Sequence, residues 1–447
     1  MKTSEIRLSD HFDYGRLLRF TLPSIGMMVL TSIYTIVDGF FVSNYAGKTA
    51  FAALNLIYPF IQVLACGGLM FGTGGTAIVS RLLGKQNPVK ANKTFSLLVY
   101  GSIVLSVILA VFGQIFVPKV AVLLGASPEM LPDCIKYARY LLAALPALFL
   151  QFFFQPFMIA AEKPKLGFVI TLIAGVANII GDYVLVGILG MGLDGAAIAT
   201  VISQILGGGI PLIFFLNKKN GTQLHIGRPT RQMKYLAEAA VNGSSELLSN
   251  ISASVVSMVY NLQLMKFMGE NGVAAYGTIA YVTFIFVAIF VGYSIGIAPV
   301  IGYNYGAEND KEQKSLFKKN LSVIGAAALL MLVLSQVLAG PLSELFVGYD
   351  RELESLTEGA FRIYSISFLI CGFNIFASAM FTALSDGVVS AIISFFRTLV
   401  CEVACVLIIP AIFGMDSIWW SVIVAECVAL CLSAFFLLRL KGKYKYM

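Results

Sequence analysis

Twelve apolar stretches, separated by short clusters of charge, fill almost the whole chain: roughly 15–42, 51–78, 94–117, 135–160, 166–189, 193–216, 235–264, 273–299, 318–340, 357–384, 388–412 and 417–440. Each is about long enough to cross a bilayer as a helix, which takes about 20 mostly apolar residues. Inside lipid every backbone polar group must be paired within the segment, so helices are the form such stretches take. Only 12% of the 447 residues are charged, about half of what a soluble domain carries. The chain therefore reads as an all-α integral membrane protein with twelve transmembrane helices and no room for a sizeable soluble domain.

The net charge of +7 is spread in short runs and not gathered on one face, as a nucleic-acid reader would have it. It reads as orientation. Alternate connections, starting with Lys2, Arg7, Arg16 and Arg19 and ending with Arg439 to Lys445, hold 23 of the 31 Lys and Arg. The positive-inside rule then puts both termini in the cytoplasm. The first apolar stretch follows a polar opening (Lys2, Glu5, Arg7, Asp10, Asp13) and is expected to be retained.

The longest polar stretch, Asn217 to Lys234, falls near the midpoint and reads as a cytoplasmic linker. It divides the chain into an N-lobe over 1–216 (six helices), the linker over 217–234 and a C-lobe over 235–447 (six helices). A shift of 222 positions superimposes Ala46-Gly47 with Met268-Gly269, Gly84 and Asn87 with Gly306 and Asn309, and Gly192-Leu193-Asp194 with Gly414-Met415-Asp416. An even number of spans per half makes the repeats parallel, related by an axis along the membrane normal, with a cleft between the lobes.

Carboxylates within spans are costly and mark function. Those well inside are Asp38, Asp182, Glu246, Glu402 and Glu426. Asn178 and Asp182 stand four apart, on one helix face. With Asp38 and Thr200 they offer two carboxylates, an amide and a hydroxyl from one half, a hard oxygen set suited to Na⁺ or to a proton shared between crowded acids. Alternatively Asn178 and Asp182 only bond a neighbouring helix. Glu246, flanked one turn away by Asn242 and Asn250, is the strongest polar stripe of the second half, or else a cap for the seventh helix. Arg397 is placed to form an ion pair with Glu402 or with an acid on a neighbouring span.

Other features read as packing. Cys401/Cys405 and Cys427/Cys431 are spaced as two possible metal-ligand pairs, but they lie in apolar stretches without a His, as free packing thiols do. The glycine-rich run from Cys66 to Gly75 lacks the Gly-Lys-Ser/Thr ending of a phosphate loop and suits close helix packing. His11 and His225 lie in loops, so no nucleophilic triad can be assembled within the membrane. The chain does not read as an enzyme, and no cofactor and no nucleic-acid partner are expected.

Leu22-Pro23 followed by Tyr34-Thr-Ile-Val-Asp38-Gly39-Phe-Phe-Val42, and Ser80-Arg81-Leu82-Leu83-Gly84-Lys85 after the second span, resemble the multidrug and toxic compound extrusion (MATE) family, its bacterial drug-exporter branch above all, over essentially Phe12 to Leu440. The resemblance implies a cation or proton coupling site at Asp38, Asn178, Asp182 and Thr200, with no metal beyond Na⁺ there. Some members add a second cation site, pairing a seventh-helix Glu with a tenth-helix Asp. Here Glu246 has no such partner, because Asp386 lies past the tenth helix. Tyr34, Glu246 and Asn250 become candidates for a substrate cavity. The function implied is a secondary antiporter exporting organic cations or drugs across the bacterial inner membrane, driven by inward H⁺ or Na⁺ and working as a monomer in the bilayer. The alternative is a flippase for a lipid-linked or amphipathic precursor.

Overall fold

The computed structural model describes residues 6–447, so Lys2 and Glu5 lie outside the described residues. The chain is a bundle of twelve helices: α1 (Tyr14–Ala46), α2 (Lys48–Gly84), α3 (Pro88–Leu123), α4 (Leu131–Ala143 and Leu145–Ala160), α5 (Pro164–Ile188), α6 (Gly192–Leu216), α7 (234–268), α8 (270–306), α9 (Asp310–Val347), α10 (Arg351–Ala383), α11 (Gly387–Phe413) and α12 (Met415–Tyr444). All twelve expected spans are present.

Two of them depart from simple rods. α4 bends by 56° between its segments, where Leu145-Pro146 begins the second one; a proline takes a first helical turn readily and cannot continue a preceding one. α7 and α8 form one 73-residue run broken only at Gly269, whose backbone (φ 64°, ψ −152°) no other residue adopts easily. Gly47, 222 positions earlier, makes the matching break between α1 and α2 (φ 91°).

The repeat extends to local chemistry. Asn87 caps α3 by accepting the Lys90 N–H, and Asn309 caps α9 by accepting the Glu312 N–H. Gln114 donates to the Arg139 carbonyl, and Gln336 to that of Arg362, each at 2.8 Å. These pairs again stand 222 or 223 positions apart.

In the N-terminal half a Phe-rich cluster (Phe95, Phe153, Phe154, Phe157, Phe215) fills the end nearer the termini, and a second cluster around Ile57, Tyr137 and Leu141 fills the other. One large cluster fills the C-terminal half and reaches across to Leu17, Phe20 and Met27 of α1. The halves meet through glycines. A Cβ at Gly74 would lie 2.1 Å from the Ala239 carbonyl oxygen, one at Gly243 1.9 Å from that of Met70, and one at Gly292 2.6 Å from the Ile25 Cα. Without side chains there, the backbones of α2 and α7, and of α1 and α8, touch. The glycine-rich run of α2 is thus a packing surface.

The linker is docked on the N-terminal half. Leu224 and Ile226 are buried beside Phe215, the His225 N–H donates to Asn92, the Gly227 N–H to Ser96 and the Thr230 N–H to the Lys93 carbonyl. At the same end the N-terminal segment crosses between halves. The Leu8 N–H donates to Glu162 of the α4–α5 connection, while Glu312 of α9 accepts the Phe12 N–H at 3.0 Å and bonds the His11 ring at 2.7 Å. Lys319 donates to the Phe12 carbonyl, and both Leu8 and Phe12 are buried.

Candidate functional site

α1 brings Asp38 against α5 and α6. Its carboxyl group faces Asp182 and the Thr200 hydroxyl, and Asp182 is fully buried at the head of a π-helical turn, Asp182–Ile188. A π turn carries an extra residue in the helix and re-aims the side chains around it. Asn178, one turn earlier, is buried on the same helix, and its carbonyl accepts the Asp182 N–H. Spacing joined Asn178 and Asp182, the resemblance implied all four residues, and the fold places them in one half.

Asp38 Oδ1, both Asp182 oxygens and the Thr200 hydroxyl are buried without a hydrogen-bond partner. Two ionised carboxylates cannot bond each other. One proton between them, or one monovalent cation bridging them with the hydroxyl, would satisfy the group. The donor set therefore fits either ion, and no Lys or Arg forms an ion pair with either acid among the described residues.

Tyr34, one turn before Asp38, accepts from Gln151 of α4 at 3.5 Å, and its ring lies where a side chain on Gly175 would stand. It thus neighbours the quartet inside the N-terminal half. Tyr58 and Tyr137, which sequence reading did not single out, are both within electrostatic range of Asp38. Their spacing from it in the chain gave no sign of this.

Glu246 lies well inside α7, three turns past its start at Lys234, so it caps nothing. It lines a hollow of about 20 Å³ with Thr73, Thr76, Ser294 and Thr382, between the halves, room for about one water molecule. Asn242 donates to the Gly74 and Thr382 carbonyls and ties α7 to α2 and α10. Asn250 is exposed and donates back to the Glu246 carbonyl. Asp386 precedes α11, where its carboxylate accepts from Lys443 and Tyr444.

Arg397 pairs with Glu426 of α12: its Nη2 and Nε donate to Glu426 Oε1 at 2.6 and 2.9 Å. Lys136 pairs with Asp194. The seven cysteines are free thiols, and no metal-holding group of His, Cys, Asp and Glu occurs among the described residues.

The family model described as MatE matches twice, over residues 23–184 and 247–408. The chain belongs to the MatE family. The two matched blocks begin 224 positions apart, close to the 222-position offset of the internal repeat, and bear out the resemblance seen in the sequence. A relative, "Multidrug export protein MepA" of Staphylococcus haemolyticus, is 27% identical over 96% of this chain and 94% of its own. The MepA protein of Staphylococcus aureus strain MRSA252 is 25% identical over 95% and 94%. A solved MATE structure in complex with MaL6 superimposes with a TM-score of 0.92 over 100% of both chains at 22% identity, which establishes the twelve-helix MATE fold for this chain.

Proposed function

We propose that this MatE-family protein is a secondary antiporter of the bacterial plasma membrane. It exports organic cations or drugs in exchange for inward H⁺ or Na⁺, with 1–216 and 235–447 acting as two lobes joined by the 217–234 linker. The names of the MepA relatives support export of drugs. The charge bias supports cytoplasmic termini.

The observation that carries the coupling is the Asp38–Asp182–Thr200 cluster with its unpartnered oxygens. Loading it with one ion removes the repulsion between the acids and changes how α1 packs on α5 and α6. Since α1 also touches α8 across the seam, this biases the two openings of the cleft, and ion and cation are carried in alternation. The glycine contacts between the halves describe the state closed at the terminus-bearing end. A flippase for an anionic lipid precursor gains no support from Arg397, the one cation well inside a span, because Glu426 already neutralises it.

The test is efflux of a fluorescent lipophilic cation from oriented proteoliposomes under a pH gradient or a Na⁺ gradient. The parent exports under one of them, which names the ion, and Asp38→Asn and Asp182→Asn abolish export. Equal efflux by parent and variants would overturn the proposal.

A further inference from the structure

The terminus-bearing end of the bundle holds a cavity that transport, as read above, does not use. It lies in the N-terminal half, between the docked linker and the α2–α3 connection, with a volume of about 670 Å³. Sites for small molecules span about 300–1,000 Å³. Asn92 and the buried Ser96 line it and are already spent on the linker. Asn92 accepts the His225 N–H and donates to the Gln223 carbonyl, and Ser96 accepts the Gly227 N–H. Lys93, Lys218 and Arg228 line the rest of it with the His225 ring.

These cations are not balanced by acids. The stretches 81–93 and 217–234 contain nine Lys and Arg and neither Asp nor Glu. None of the nine forms an ion pair among the described residues. The second half closes the equivalent place. Counting 222 positions on, the α2–α3 connection becomes the α8–α9 connection and the linker becomes the C-terminal tail. There Tyr446 packs on Phe317, as Leu224 shares one cluster with Phe95. That connection, however, carries Glu308, Asp310 and Glu312, and Lys445 of the tail pairs with Asp310 at 3.1 Å. An excess of cations serves orientation at either connection, so orientation does not account for the difference. The first half keeps its charge unspent, around a hollow.

One wall of the cavity continues towards lipid. Val89, Lys93 and Ser96 lie on one face of α3, and at helical spacing the same face goes on through Tyr100, Val104 and Val107. Val89, Tyr100, Val104 and Val107 are exposed on the outside of the bundle, the last three within the apolar span 94–117. A ligand with its anionic head in the cavity thus finds an apolar track for its tails directly beside it.

We propose that this cavity binds the phosphate headgroup of an anionic phospholipid, whose acyl chains lie along Tyr100, Val104 and Val107. Basic pockets at the rim of a membrane protein suit such headgroups. The lipid bridges α3 and the linker and helps to keep the linker docked. Gln86 also lines the cavity and donates to the Tyr303 hydroxyl of α8 at 3.1 Å, which puts the headgroup beside a contact between the halves. The site goes beyond the antiport reading and does not depend on it.

Binding is measurable without transport. The full-length protein in a mild detergent is titrated with phosphatidylglycerol or phosphatidylcholine of matched acyl chains, and bound lipid is counted by native mass spectrometry. Phosphatidylglycerol is expected to bind the more tightly. A cation beside an anionic headgroup adds about 5-fold in affinity, so Lys93→Gln with Arg228→Gln weakens phosphatidylglycerol about 25-fold. Lys219→Gln with Arg231→Gln removes the same charge outside the cavity and leaves binding unchanged. All four side chains are exposed, so both variants keep the fold. Equal weakening by the two pairs would reduce the site to a diffuse basic surface and overturn the proposal. Glycerol phosphate, a head without tails, separates lipid from soluble phosphate: competition only at far higher concentration supports the lipid, and competition at equal concentration refutes it. A phosphatidylglycerol with a diazirine in its acyl chain locates the tails. Crosslinks over 100–107 are expected, and crosslinks confined to other helices would overturn the assignment.

Discussion

Gly84 and Gly306 make the same contact in opposite directions. A Cβ on Gly84 would stand 2.0 Å from the Tyr303 carbonyl oxygen, and one on Gly306 2.1 Å from that of Arg81; Arg81 and Tyr303 are themselves 222 positions apart. The two halves therefore close on each other at the terminus-bearing end around a two-fold relationship, backbone against backbone. A side chain at either position has no room, since the obstacle is main chain. Gly306→Val is expected to push the ends of α2 and α8 apart, at a cost of about 1–3 kcal/mol. Spin labels at Lys85→Cys and Ala307→Cys report it: the distance between them lengthens in the Val variant, and an unchanged distance would contradict the seam.

Glu312 holds the N-terminal segment across that seam. It is 7% exposed and accepts from both Phe12 and His11; hydrogen bonds to a charged group contribute about 1.5–3 kcal/mol each. Glu312→Ala is expected to free the segment, and limited trypsin digestion then cuts faster after Arg7 and Arg16 while the rest of the chain stays intact.

Glu162 gives the other end of the same strap a pH dependence. Burial raises the carboxyl group above its ordinary value of 4.5, against the opposing Leu8 N–H. A raised acid binds its proton more tightly in the docked state than in the free one. Its contribution to docking is therefore fullest below 4.5 and lost as pH rises through the raised value. A spin label at Ser9→Cys should become more mobile over that interval, and Glu162→Gln should remove the change.

Thr200 tests the chemistry of the proposed coupling cluster apart from its charge. Thr200→Ser keeps the hydroxyl and is expected to transport like the parent. Thr200→Val leaves the acids with one oxygen fewer and weakens ion binding about 10-fold, the equivalent of one ordinary hydrogen bond. The readout is the concentration of coupling ion giving half-maximal efflux.

Arg397 is expected to matter more to stability than any surface cation, because removing one partner of a buried pair costs about 3–5 kcal/mol. Arg397→Met lowers the melting temperature in detergent, and the double change Arg397→Met with Glu426→Gln recovers most of it. Equal melting of the single and double variants would show that the pair is not what holds α11 to α12.

Helices and halves were legible in the sequence because membrane physics writes them in composition: a span needs its apolar run, and a repeat keeps its glycines where backbones touch. The buried polar cluster was legible for the same reason, since Asn178 and Asp182 share a helix face and acids in spans are rare. Partner choice was not. Nothing in the chain says that Arg397 pairs with Glu426, 29 positions away, and not with Glu402, five away. Pairing depends on which faces of α11 and α12 meet, and that is decided by packing. The strap was hidden too, because Leu8, Phe12 and Glu312 are separated by some 300 positions. The bend in α4 had a signal in Pro146, but a proline marks where a helix can break without giving the angle.

The docked linker sets the mechanics of any rocking between the halves. Eighteen residues of loose chain would let the second half swing on a long cord. Here the cord is pinned to α3 as far as Thr230, whose N–H is held by the Lys93 carbonyl, and α7 starts at Lys234 with Tyr235 buried directly after it. Arg231 to Met233 form the turn between them, with the Met233 N–H donating to the Arg231 carbonyl and the Tyr235 N–H to that of Gln232. The second half is thus mounted on a short axle at one rim of the bundle, a connection that suits rotation about that rim better than a parting of two tethered bodies.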